Sequence, residues 1–304
     1  MSVKNITVDN DNEGRRIDNF LLSNFKNIPK SKIYKIIRKG EVRDSSKRVK
    51  PDTKLSANDL IRIPPNLINE QRTVDININK YAYLKDRVIY DDEDFLIFNK
   101  PSNFAVHSGT KNDHGLIDIL RTIIKNNSLN LCHRLDKGTS GCLVIAKNQK
   151  FLGFFNEQLK KRKVKKIYHA IVKDYISEEM HINHLIDINT KGSFNKVSIN
   201  KEGKEAKSIF KPLKRYSGSS LIEIQILTGR THQIRAQCEK INKNIANDNK
   251  YGCSYFNKHL KNSGIKRLGL HSYEISFLDL KDKRNTFFAD YDDEFENILS
   301  YLKT

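Results

Sequence analysis

"CHRLDKGTSGCLVIAKN", residues 132–148, joins two kinds of sequence in one short run. The first half gathers an imidazole, a guanidinium and a carboxylate (His133, Arg134, Asp136) and then bends through Gly-Thr-Ser-Gly. The second half, Cys142 to Ala146, is an unbroken apolar stretch of the length of a buried strand. An Asp ahead of Gly-Thr-Ser is a common turn or cap residue. A carboxylate at the mouth of a buried strand is equally a place for chemistry. The surrounding sequence separates these two readings.

Working outward, three further segments put polar, reactive residues at the edge of apolar runs: "NKPSNFAVHSG" (99–109), "KKIYHAIV" (165–172) and "LTGRTHQIR" (227–235). "FLIFNKP" reads as a strand ending at Pro101, "GLIDILRTIIK" and "KFLGFFNEQLKK" as helices, and "LGLHSYEISFLDL" as a late strand. "LIEIQIL" alternates, with Ile222, Ile224 and Ile226 on one face, and "RTHQIRAQCEKI" stacks Ile234, Cys238 and Ile241 at helical spacing. Strands and helices do not alternate regularly enough for a doubly wound parallel sheet. The pattern predicts an α+β fold with a long, mostly antiparallel mixed sheet.

The chain has 304 residues and a net charge of +19, which points to a polyanionic partner. Lysines outnumber arginines 39 to 16 and Asn and Ile are abundant, as a biased genome composition produces. Where the charge clusters is therefore more informative than its total. Residues 15–50 carry twelve Lys or Arg against three acids, a net of +9. That stretch lies in a small unit, 15–64, following a tail at 1–14. "RRIDNFLLSNF" and "PKSKIYKIIRKG" read as two helices and "EVRD" and "LIRIP" as short strands. Ile33, Ile36 and Ile37 face inward, leaving Lys32, Lys35, Arg38 and Lys39 for phosphate contact. Residues 65–86 lack periodicity and read as a linker to a second domain, 87–304.

Four cysteines show no CxxC spacing, so neither a metal site nor a disulfide framework is expected. The start has no apolar core for a signal peptide and no run long enough for a membrane span, so a cytoplasmic protein without membrane association is expected. Walker, GxGxxG, HExxH and GxSxG motifs are missing, and no cofactor is expected.

The small unit resembles the alpha-L RNA-binding domain in its helix-turn-helix, its "KxxxRKGEV" run, its "VKPDTKL" bend and its "NDLIRIP" ending. Asn58 stands where that family usually has Gly. "HRLD…TSG", followed about ninety residues later by "TGRTHQIR", resembles the pseudouridine synthases of the large-subunit ribosomal RNA type, over about residues 15–280. "NDNKYG" and "FNKHLKNSGIKRLGLHS" carry the likeness toward the branch that modifies three uridines. The resemblance implies a mixed, mostly antiparallel sheet and site-specific conversion of uridine to pseudouridine in large-subunit ribosomal RNA or a pre-ribosomal particle, by a monomer. It implies Asp136 as the catalytic aspartate and Arg134 as the arginine that enters the RNA stack when the uridine flips out. It also implies Tyr168 as the tyrosine against the uracil and Arg230 as the partner of the carboxylate. Two departures stand out: Gly138 where Asp is more usual, and Asn242-Lys243 in place of Gly-His.

The residue types suit the chemistry. The isomerisation breaks N1–C1′ and joins C5 to C1′ with no redox change, so it needs no cofactor. A carboxylate can attack the sugar, add to C6, or take the C2′ proton. Burial disfavours its charged form, and a guanidinium gripping both oxygens reverses that. Flipping the base costs roughly a few kcal/mol, and a flat cation and an aromatic face help to compensate. His133 reads as packing or hydrogen bonding, since the reaction needs no imidazole. His232 and Gln233 are open between phosphate contact and capping, and Lys100 and His107 are weak candidates to face RNA. Three competing readings are an inert RNA-binding assembly protein, a glycoside hydrolase using the acids of "YDDEDF", and the same chemistry on transfer RNA.

Overall fold

The computed structural model describes residues 4–25, 28, 30–65, 76, 78–107, 114–187, 196–200, 202–262 and 264–303. The front unit contains β1 (Lys4–Thr7), α1 (Ile17–Asn24), α2 (Lys30–Lys39), β2 (Arg43–Asp44), β3 (Lys47–Arg48) and β4 (Leu60–Ile63). Its sheet runs β1-β4-β2-β3. Ile17, Phe20 and Leu21 of α1 meet Ile33, Ile36 and Ile37 of α2 in a core of its own. Each such side chain contributes about 1.5–3 kcal/mol when fully buried. Lys32, Lys35, Arg38 and Lys39 stand exposed around the rest of α2. The helix is followed by Gly40 at φ 72°, and Asn58 takes a left-handed turn at φ 69°. The expected tail at 1–14 is structured from Lys4: β1 pairs with β4 from Lys4↔Ile63 to Thr7↔Leu60, and Val8 is buried beneath it.

The large body holds α3 (Ile78–Tyr81), β5 (Val88–Asp91), β6 (Phe95–Lys100), α4 (Leu116–Ile124), β7 (Asn130–Leu131), β8 (Ser140–Ala146), α5 (Gln149–Lys160), β9 (Lys165–Lys173) and β10 (Met180–Asp187). It continues with β11 (Ser198–Ile199), β12 (Lys204–Tyr216), β13 (Ser219–Ile226), α6 (Gln233–Lys240), α7 (Ser254–Asn262), β14 (Leu270–Leu278), β15 (Arg284–Phe288) and α8 (Asp293–Tyr301). One sheet orders these strands β11-β10-β12-β13-β9-β14-β8-β6-β5, with β7 and β15 attached to β8 and β14. Of the expected linker, 66–75 and 77 lie outside the described residues. Residues 78–87 are helical turns, and Leu84 is fully buried in the large core, so this part joins the large body ahead of the expected boundary at 87. A single anchoring leucine leaves no periodic signal in the sequence.

The α+β expectation matches the fold. Among the described residues, every pairing in the large sheet is antiparallel except β14 with β8, where His271↔Ser140 and Ser272↔Gly141 run parallel. On its other side Ser272 pairs with Tyr168 of β9. One backbone residue therefore sits between the strand that follows the Asp136 loop and the strand that carries Tyr168. Gly141 makes that approach possible: its φ is 103°, and a Cβ there would lie 2.2 Å from the Ser272 carbonyl oxygen.

Candidate active site

The loop from β7 to β8 is pinned from both sides of the sheet. Cys132 is buried in the cluster around Phe151 and Phe155, while Leu135 is buried in the main core with Leu143 and Tyr168. His133 Nε2 accepts the Val144 N–H at 3.0 Å, and its ring stacks on Phe155. Burial lowers its pKa to about 3, so it is a neutral structural imidazole. With Cys132 and Leu135 inward, Arg134 and Lys137 are left exposed and Asp136 partly so. A turn from Thr139 N–H to the Asp136 carbonyl (3.1 Å) closes the bend. Gly138 packs against Leu268; a Cβ there would meet the Leu268 side chain at 3.2 Å, so a larger residue needs Leu268 to shift.

A second brace comes from "NKP". Lys100 is fully buried, and its ammonium donates to the carbonyls of Pro101 (2.9 Å), Phe104 (2.9 Å) and Lys137 (3.2 Å). Ser102 Oγ donates to the Gly138 carbonyl at 2.8 Å. Burial pulls the Lys100 pKa down to about 7, against the Asp136 charge that raises it. Three carbonyl acceptors use all three N–H bonds of the charged form and support it. Lys100 thus holds the Asp136 loop from behind and does not face RNA; His107 is the exposed one of that pair.

The carboxylate's partner is Arg235, not Arg230. Arg235 Nη1 lies 3.3 Å from Asp136 Oδ2, and His232 Nε2 lies 3.6 Å from the same oxygen. Arg230 instead donates its Nε to the Glu205 carbonyl at 3.0 Å. The reason is helix geometry. Gln233 and Gln237, four apart and both buried, fasten α6 to β12: Gln233 donates to the Lys207 carbonyl (3.0 Å), and Gln237 to the Ala206 carbonyl (2.9 Å). Ser208 Oγ bonds to both glutamines. Arg235, midway between them, is thrown to the other side and toward Asp136, while Arg230 precedes the helix altogether.

Asp248, the acid of "NDNKYG", fixes the arginine. Its Oδ2 and Oδ1 accept Arg235 Nε and Nη2 at 2.7 and 2.8 Å, a bidentate grip that leaves Nη1 for Asp136. Oδ1 also accepts the N–H groups of Lys250 and Tyr251. Burial raises the Asp248 pKa, but Arg235 and these amides outweigh it and hold the carboxyl below its usual value. Burial likewise opposes the charge of Arg235, and the two aspartates more than restore it. His232 Nδ1 bonds to the Tyr251 hydroxyl (2.9 Å), and burial lowers its pKa against the pull of Asp136.

Tyr168 is 7% exposed and lies close enough for the Asp136 charge to add to the burial that raises its phenol pKa. The structure thus brings together Asp136, Tyr168, Arg235 and His232, with Arg134 exposed at the rim. The arrangement offers a part-exposed carboxylate oriented by a fixed guanidinium beside a buried aromatic ring.

Residues 94–240 match the family described as RNA pseudouridylate synthase. The chain is 37% identical over 308 residues to the ribosomal large subunit pseudouridine synthase C of Pasteurella multocida, covering 99% of this chain and 94% of that one. It is 39% identical over 283 residues to the protein of that name from Escherichia coli K12, covering 91% and 89%. Among solved structures, human RNA pseudouridylate synthase domain containing 4 superposes with a TM-score of 0.63 at 22% identity, over 74% of this chain and 96% of that one, which speaks to the fold. Identity at this level, running nearly end to end through the loop, the strand and the helix that assemble around Asp136, makes this chain a member of the RNA pseudouridylate synthase family and an RNA pseudouridine synthase.

Proposed function

We propose that the enzyme isomerises uridines of large-subunit ribosomal RNA, with Asp136 as the reacting carboxylate. The observation that carries the role of Asp136 is its setting: an acid reachable from solvent whose orienting guanidinium is itself locked by a buried second acid. The ribosomal substrate is supported by the names of the relatives. In the reaction N1–C1′ breaks, the base turns, C5–C1′ forms, C5 loses a proton and N1 gains one. Each of the three routes open to the carboxylate starts from its ionised form, and Arg235 Nη1, 3.3 Å away, orients it. The flipped uracil lies against Tyr168, and Arg134 fills the space it leaves. Arg230, three positions ahead of α6, is proposed to bind substrate. The exposed Lys32, Lys35, Arg38 and Lys39 of the front unit contact phosphates, and the enzyme acts as a monomer in the compartment where ribosomes are built.

The test is conversion of large-subunit ribosomal RNA and of transfer RNA by the purified protein, with pseudouridine mapped by sequence position. Wild type is expected to modify defined ribosomal uridines. Asp136→Asn is expected to abolish conversion while keeping RNA affinity within a few-fold. Turnover by the Asn variant overturns the role of Asp136, and conversion confined to transfer RNA overturns the substrate.

A further inference from the structure

A second polar cleft, of about 1020 Å3, shares no lining residue with the Asp136 site. It lies among the segment after β9, the β12–β13 turn, Lys243 beyond α6, and the chain's end after α8. Tyr175, 49% exposed, forms a flat platform there, with the Arg215 guanidinium over its ring at 3.9 Å. Lys214 stands 5.6 Å from the ring centre of Tyr216, and Lys243 and Lys303 complete the basic rim. Asp174, the acid of the lining, is already paired with Lys173 at 2.9 Å. Within the lining Glu296 acts on Tyr216, whose pKa is raised by burial first and by that charge second. Among the described residues, Lys214, Arg215, Lys243 and Lys303 have no carboxylate within 4.0 Å.

The platform is built rather than incidental. The Asp174 N–H donates to the Gly218 carbonyl at 2.9 Å and Ser220 Oγ to the Asp174 carbonyl at 3.0 Å, tying the Tyr175 segment to the hairpin turn. A β-bulge between Pro212 and Lys214 resets the register of β12 where Lys214 and Arg215 enter the cleft. Asn242 keeps the left-handed turn, φ 58°, that a glycine would take, so the departure at Asn242-Lys243 falls on the amine that enters this cleft. The cleft is also in register with the reaction. Residues 244–246 run antiparallel along β9, through Lys173 N–H to the Asn244 carbonyl and Ala246 N–H to the Ile171 carbonyl, both 2.9 Å. That segment continues to Asp248, the clamp on Arg235. Along β9, Lys173 lies five positions beyond Tyr168, about 17 Å at ~3.3 Å per residue.

An exposed ring with a stacked guanidinium and a row of unpaired amines is the chemistry that holds an unpaired nucleotide, base on the ring and phosphates on the amines. We propose that this cleft docks an unpaired nucleotide of the substrate RNA, flanking the target uridine, with its base on Tyr175 and its phosphates on Lys214, Arg215 and Lys243. The proposal rests on the enzyme acting on RNA and is independent of the role given to Asp136.

The experiment compares full-length wild type, Tyr175→Ala, Tyr175→Phe and Lys214→Ala/Lys243→Ala on a large-subunit ribosomal RNA fragment, with affinity measured at several salt concentrations. Wild-type conversion of that fragment reports on the substrate reading by itself; binding relative to wild type reports on the cleft. Tyr175→Ala is expected to bind at least about five-fold more weakly, and Tyr175→Phe like wild type. The double lysine variant is expected to lower the log–log salt slope by about 0.7 for each phosphate no longer neutralised. Each loss should fall on KM rather than kcat. A photo-crosslinker at position 175 is expected to mark one unpaired segment at a fixed distance from the modified uridine. Unchanged affinity and salt slope in folded variants, or crosslinks scattered over the RNA, overturn the proposal and leave the cleft to an acidic protein partner.

Discussion

The guanidinium of Arg235 and the carboxylate of Asp136 stand 3.3 Å apart although 99 positions separate them in the chain. They meet because Asp136 sits in the loop between β7 and β8 and Arg235 sits on a helix bolted down by two buried glutamines. Arg235→Lys keeps the charge but loses the fork that spans Asp248 and Asp136. Turnover on ribosomal RNA is expected to fall by about a hundred-fold or more, the range seen when a preorganised donor is removed. Arg230→Lys is expected to stay within several-fold of wild type. Equal losses in the two variants would mean that Arg235 does not orient the reacting acid.

Asp248→Asn should damage both stability and rate. The side chain is fully buried, and breaking a buried ion pair on one side costs about 3–5 kcal/mol. Urea unfolding should show the loss, and single-turnover assays of the folded fraction should show a reduced maximal rate. A variant as stable as wild type contradicts the clamp.

The same acid sets an acid limit. Its folded pKa lies below the unfolded value near 3.9. Its contribution is therefore complete at pH values above about 4 and is lost as pH falls through the folded value. Wild-type stability is expected to drop across that window, and Asp248→Asn to lose the Asp248 share of the drop. Parallel curves for the two proteins would place the acid sensitivity elsewhere.

Gly141→Ala is expected to unfold at a clearly lower temperature and to lose most activity, because its Cβ would meet the Ser272 carbonyl oxygen at 2.2 Å in a left-handed backbone. Thermal unfolding with a parallel conversion assay decides. An alanine variant with wild-type behaviour would show that this close approach does not position the Asp136 loop.

Much of this fold is legible in the sequence, and what is not has a physical cause. Period-two apolar runs such as "LIEIQIL" and helix faces such as Ile33, Ile36 and Ile37 announce themselves, because burial on one side forces the pattern. β12 does not: its exposed outer half, Lys211 to Arg215, shows no apolar alternation, although the backbone pairs with β13 on both sides of a bulge between Pro212 and Lys214. α7 and α8 likewise escape the pattern. Asp136, Tyr168 and Arg134 follow from motif likeness. Arg230 stands in for Arg235 because two arginines share one motif, and only the helix's rotation tells them apart. Asp248 lies within "NDNKYG", yet its role gives no signal there, since a clamping acid is defined by what folds over it.

The seam at Ser272 has a consequence for how this enzyme drifts. Two parallel residue pairs join the strands, and there the separation of Asp136 from Tyr168 is inherited from main-chain geometry rather than from any surface side chain. Mutational wear on the exterior, such as the accumulation of lysine and asparagine under genomic bias, leaves that gauge untouched. Substitutions that crowd the seam or loosen its glycine do not. The spacing of the reacting groups thus rests on a few inward positions, and a change of chemical character on the outer face of the sheet does not reach it.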